Sequence, residues 1–86
     1  MRTITHKIKD PNGIHARPAG VIVATAKKFD SGIKIVSGDK SGDCKRIFSV
    51  MGMSLKFGDT FTIEISGNDE DEAYAALEES LESSGI

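Results

Sequence analysis

Two stretches of the chain alternate between apolar and polar residues. Ile4, His6 and Ile8 oppose Thr3, Thr5 and Lys7, and Phe61, Ile63 and Ile65 oppose Thr60, Thr62, Glu64 and Ser66. A period of two places successive side chains on opposite faces of a strand, so each segment has one face for a core and one for water. Sheets with a wet face are antiparallel, because parallel sheets are covered on both sides by their crossover helices. The cover must then come from helices on one side only. At 86 residues the chain has interior enough for one core, so residues 1–86 are expected to form one domain.

The intervening residues supply that cover. Asp10-Pro11-Asn12-Gly13 is dense in turn formers, and the loop it opens ends at His15. Pro18 suits the first turn of a helix, and Val21, Ile22, Thr25, Ala26 and Phe29 follow at helical spacing, so the first helix is expected to run to about Phe29. Ile33 to Val36 reads as a second strand, and Ser37 to Gly42 as a turn with a short third strand around it. Ile47, Val50, Met51, Ser54 and Leu55 fall at i, i+3, i+4, i+7 and i+8, which predicts a middle helix closed by Gly58. Asn68 can cap a last helix whose acidic start, Asp69-Glu70-Asp71-Glu72, matches the positive end of the helix dipole; Ala73, Ala76, Leu77 and Leu81 form its inner stripe, and it ends near Ser83. The predicted fold is α+β, an open-faced two-layer sandwich of order βαββαβα with a four-stranded antiparallel sheet and helices on one face.

Charge and cysteine content narrow the function. Eleven Lys and Arg against 13 Asp and Glu leave a net charge of -2, which offers no electrostatic basis for binding along nucleic acid or an anionic membrane. No stretch approaches the roughly 18 apolar residues that a membrane span requires, so no insertion is expected. Cys44 is alone and cannot close an internal disulfide; with only His6 and His15 beside it, a zinc cage lacks ligands, and neither metal nor cofactor is expected. A reducing cytoplasm is the expected compartment.

The informative segment is Asn12-Gly13-Ile14-His15-Ala16-Arg17-Pro18-Ala19-Gly20. A histidine immediately before a helix start faces unpaired backbone N–H groups and the positive dipole end, where an anion is stabilised. Arg17 can bring a planar guanidinium to the same anion. Imidazole is also a competent nucleophile near neutral pH, so His15 could itself carry a phosphoryl group. Spacing alone leaves open that His15 only caps the loop and Arg17 is a solvated charge. His6, in phase with Ile4 and Ile8, reads as a half-buried sheet residue, and Cys44 as a small apolar one. Ser37 to Gly42 lacks the Gly-Lys-Ser/Thr ending of a nucleotide-binding loop.

The string Gly13-Ile14-His15-Ala16-Arg17-Pro18-Ala19 resembles the active-site signature of HPr, the histidine-containing phosphocarrier family of the bacterial phosphoenolpyruvate-dependent sugar phosphotransferase system. Lys45, Gly58, Ile63, Ser66-Gly67 and the Ala/Leu/Glu-rich last helix extend the likeness over nearly the whole chain. The resemblance implies a monomeric relay rather than an enzyme. His15 would be phosphorylated on Nδ1, Arg17 would attend the phosphate, enzyme I would be the donor and enzyme IIA domains the acceptors. It also implies a partner surface at Ile47, Phe48 and Met51. A regulatory paralogue, serving a nitrogen-related phosphorelay or as a transcription-factor corepressor, is the alternative within the same fold.

One position departs from the family pattern. The residue after the lysine that opens the middle helix is commonly a serine, in many members the target of a regulatory kinase; here Arg46 follows Lys45. A rival alignment lays Ser49 to Leu55 on the family's serine-containing run but deletes a residue inside the helix. That deletion turns everything beyond it by about 100° and would take Leu55 off the buried stripe. The ungapped alignment therefore leaves the regulatory serine absent at Arg46, with Ser49 as the other candidate.

Overall fold

A computed structural model describes residues 1–86. The order is β1 (Arg2–Lys7), α1 (Ala16–Ala26), β2 (Gly32–Ser37), β3 (Lys40–Asp43), α2 (Ile47–Met51), β4 (Thr60–Ser66) and α3 (Glu70–Ser84), which is βαββαβα. The four strands form one antiparallel sheet in spatial order β1-β4-β2-β3. Alternation decides the two faces. Ile4 pairs with Ile63 and Ile63 with Ile35, giving an apolar row across three strands, with Ile65 and Ile33 beside it. On the opposite face Thr5 and Thr62 share a 3.2 Å hydroxyl contact. α1 and α3 pack on each other over the apolar face, and the core gathers 20 buried side chains from every layer.

The β2–β3 connection is a two-residue turn, since Ser37 pairs with Lys40, and Gly38 supplies its positive φ of 60°. The inner stripe of α1 is Ala19, Ile22, Val23 and Ala26, while Val21 and Thr25 stand half-exposed at its edge. α1 also ends at Ala26, and the chain passes Lys27 and Lys28 as a turn before the half-buried Phe29.

Two predicted features are corrected. The middle helix stops at Met51: Gly52 caps it, and Ser54 takes a left-handed φ of 54° that ends helical continuation. Leu55 is buried all the same, but from a loop, while Met53 goes inside and Ser54 faces out. Helical rotation therefore has no bearing on Leu55, and the comparison of alignments rests on the gaps themselves. At α3 the capping position is held by Asp69 rather than Asn68. The Asp69 carbonyl accepts the Ala73 N–H at 3.0 Å, but its side chain does not cap its own helix. Its carboxylate accepts the Asp30 and Ser31 N–H groups and the Ser31 hydroxyl, and so ties the end of the α1–β2 connection to the start of α3.

Candidate functional site

The loop from Asp10 to His15 is built by its turn residues. Asp10 Oδ1 accepts the Asn12 N–H at 2.8 Å, and the Asp10 carbonyl accepts the Gly13 N–H at 2.9 Å. Gly13 sits at φ 66°, pressed against a second loop; a Cβ there would run into the Leu55 carbonyl oxygen and the Lys56 Cα. Only glycine meets both demands. The next N–H, of Ile14, donates to that same Leu55 carbonyl at 3.1 Å, and the Ile14 side chain is buried in the core. The loop is thus anchored on both sides of the bend.

This brings His15 back over Asp10. His15 Nε2 lies 3.3 Å from Asp10 Oδ2, and Arg17 Nη2 lies 3.8 Å from the same oxygen. The Asp10 side chain is only 12% exposed, against 37% for His15 and 58% for Arg17. The Asn12 N–H first, and then His15 and Arg17, hold the Asp10 carboxyl below its usual range, against an opposing contribution from burial. An ionised carboxylate only accepts, so the proton between the two groups sits on His15 Nε2. In the neutral ring Nδ1 then carries the lone pair, and no protein group bonds it.

His15 is the N-cap of α1 and gives no side-chain cap to its own helix. The first-turn donors can be accounted for one by one. Ala19 N–H bonds the His15 carbonyl at 3.1 Å, and Pro18 has no N–H. That leaves Ala16 and Arg17 N–H as the two without an intrahelical acceptor. No acidic side chain lies in the first turn to neutralise the dipole. A nucleophilic nitrogen, two free N–H groups and an exposed guanidinium are thus gathered at the start of one helix, an arrangement suited to holding a phosphoryl group.

The other expected residues lie on α2, the sheet and the turns between them. Phe48 is 82% exposed on α2, while Ile47 and Met51 are half-buried and packed against the core. Arg46 is the exposed N-cap of α2, without a capping side-chain bond. Ser49 lies inside α2 with its hydroxyl accepting the Asp43 N–H at 2.8 Å, a bond that joins α2 to β3. Lys45 Nζ donates to the Phe29 carbonyl at 2.7 Å. His6 is half-buried with its ring 5.4 Å from that of Phe61. Cys44 is buried, and burial with the neighbouring Asp43 pushes its thiol up to about 12.

Two features escape a reading of local patterns. Asp10 reads as one turn former among four; its role emerges only when Gly13 folds the loop back. Phe57, 64% exposed, stands two residues beyond the Leu55 carbonyl that holds Ile14. An aromatic between Lys56 and Gly58, outside any periodic stripe, was the signal for exposure.

Comparison with known proteins gives one consistent picture. The family model described as "PTS HPr component phosphorylation site" matches residues 2–83. The chain is 43% identical over 86 residues to the phosphocarrier protein HPr of Lysinibacillus sphaericus, covering 100% of this chain and 98% of that one. Among solved structures it is similar to the histidine-containing phosphocarrier protein of a Mycoplasma, with a TM-score of 0.93 at 38% identity, covering 99% of this chain and 98% of that one. It is also similar to an HPr dimer from Thermoanaerobacter tengcongensis, with a TM-score of 0.77 at 36% identity, covering 100% and 99% of the two chains.

Proposed function

Because the chain belongs to the HPr family, the phosphocarrier of the sugar phosphotransferase system, we propose that it carries the phosphoryl group on His15 Nδ1. The donor is phosphorylated enzyme I, the acceptors are enzyme IIA domains, and the protein works as a monomer in the cytoplasm. The observation that carries this reading is the His15 ring at the start of α1, with Nε2 turned to Asp10 and Nδ1 bonded by no protein group. In the forward step the Nδ1 lone pair forms the N–P bond while the bond from phosphorus to the donor breaks, its electron pair leaving with the donor. The two N–H groups and the Arg17 guanidinium meet the phosphoryl oxygens, so that positioning and charge supply most of the catalysis. The chain turns nothing over by itself: it is a stoichiometric intermediate.

Partners dock around the ring. The exposed Phe48, with the outer parts of Ile47 and Met51, offers adaptable apolar contact suited to more than one partner. Arg46 places a fixed positive charge on the same side, which favours an acidic partner patch and leaves no serine there for a regulatory kinase. The test is reconstitution of the purified chain with enzyme I, magnesium and labelled phosphoenolpyruvate. An acid-labile, base-stable label mapped to His15 is expected. A label on another residue, or none, would overturn the assignment.

A further inference from the structure

From the contact between His15 and the carboxylate beneath it, we infer that Asp10 is a positioning residue for the relay: it selects the tautomer in which Nδ1 is the nucleophile and meets the charge the ring gains on phosphorylation. This rests on the phosphocarrier reading and extends it to a residue outside the motif that suggested it. Three observations converge on Asp10. Its two oxygens are divided, Oδ1 bonded to the Asn12 N–H and Oδ2 facing His15 Nε2 and Arg17. Its side chain is only 12% exposed, so water competes poorly for Oδ2. Gly13, wedged against Leu55 and Lys56, leaves the bend little room to open and withdraw the carboxylate.

The chemistry follows from proton and charge balance. Before transfer the ring is neutral, with its proton on Nε2 and its lone pair on Nδ1. When Nδ1 forms the bond to phosphorus, the donor's bond to phosphorus breaks and its electron pair leaves with the donor. The Nε2 proton stays, so the ring becomes formally cationic beside a dianionic phosphoryl group. Asp10 Oδ2 faces that cation, as a buried carboxylate orients and supports the histidine of a hydrolytic triad. Arg17, shared with Asp10 at rest, is then free to turn to the phosphoryl oxygens. On transfer onward the same proton remains in place, and the lone pair returns to Nδ1.

Asp10→Asn separates this role from the turn. Its carbonyl oxygen can keep the Asn12 N–H, which presents the amide NH₂ to His15. A donor at that place makes Nε2 an acceptor and moves the ring proton to Nδ1, where it blocks the nucleophile. Asp10→Ser is the second variant: its hydroxyl can serve the turn but cannot reach His15. Long-range proton–nitrogen NMR of the unphosphorylated chain reads the tautomer directly. The expected result is mainly Nε2–H in the wild type, mainly Nδ1–H in Asp10→Asn and a mixture in Asp10→Ser. Labelling from enzyme I should slow about tenfold or more in Asp10→Asn and less in Asp10→Ser, with the label still on His15. An unchanged tautomer, or labelling rates within twofold of wild type in both variants, would overturn the inference. Failure of wild-type His15 to take any label would instead overturn the phosphocarrier reading, since the tautomer is read without phosphorylation.

Discussion

The starts of α1 and α3 use the same physical asset in opposite ways. Each helix start carries a positive dipole end and unpaired N–H groups. At α3 the chain meets the dipole charge itself. Glu70, Asp71 and Glu72 occupy the first turn; Glu70 reaches back to the Gly67 N–H and pairs with the N-terminal amine at 3.1 Å, and Asp71 binds Arg2 at 2.7 Å. Neither N-cap side chain caps its helix, but at α1 the first turn has no acid, and the Asp10 carboxylate faces the ring of His15 instead. A helix start whose charge is met within the fold contributes to stability, whereas one left open contributes affinity for an anion from outside.

That contrast can be broken at several points. The largest effect is expected from His15→Ala, which should abolish phosphoryl labelling while leaving the thermal midpoint close to wild type, because a loop side chain contributes little to the core. His6→Gln should keep the label, and mass mapping of both variants distinguishes them. Next comes Arg17→Lys. The charge survives but the planar fork does not, so transfer measured by rapid quench should slow about tenfold with an unchanged melting curve.

At the other helix the same kind of substitution should move stability and leave transfer alone. The Ser31 hydroxyl first, and then the Asp30 N–H, hold the Asp69 carboxyl below its usual range. A carboxylate with a lowered folded pKa stabilises fully above its unfolded value of about 3.9, and the contribution is lost as pH falls through the folded value. Asp69→Asn should therefore lower the melting temperature at neutral pH and flatten its acid dependence, with the two proteins converging in acid and labelling at equal rates. Equal melting temperatures across the pH range would show that this helix start is no more self-sufficient than that of α1.

The smallest effect is expected at α2. Arg46 puts a cation at the positive end of a short helix. Arg46→Ser removes that cost and adds a capping hydroxyl, together about 0.5–1 kcal/mol of added stability by urea unfolding. The same variant should become a substrate for an HPr kinase, read as one added phosphate by intact mass, while the wild type stays unmodified. A phosphate mapped to wild-type Ser49 would reverse that assignment and require the Ser49 bond to Asp43 N–H to open.

Much of this architecture is legible in local patterns because periodicity is a local property. Alternation at Thr60–Ser66 marks a strand half-buried on one face, and β4 buries Phe61, Ile63 and Ile65 while pairing on both edges. The acidic run from Asp69 marks the start of a helix, and the Gly-Ile-His-Ala-Arg-Pro string marks the loop and α1 start where nucleophile and guanidinium meet. The same patterns mislead where termination depends on surroundings. Ile47 to Leu55 keeps a helical spacing of apolar residues past Met51, but the chain turns at Ser54 and presents the Leu55 carbonyl to Ile14. Leu55 is buried in either arrangement, so burial could not reveal which one holds.

The sequence by itself determined the kinds of elements, their order and the residues able to do chemistry, since each depends on spacing within a few residues. The tertiary structure decided the strand order β1-β4-β2-β3 and brought a distant loop against Gly13. That contact closes the bend and carries Asp10 under His15, giving one ring nitrogen a partner and leaving the other without one. No local pattern contains this outcome, because the backbone that presses on Gly13 belongs to Leu55 and Lys56, far along the chain, and arrives only when the core that buries Ile14 and Leu55 assembles.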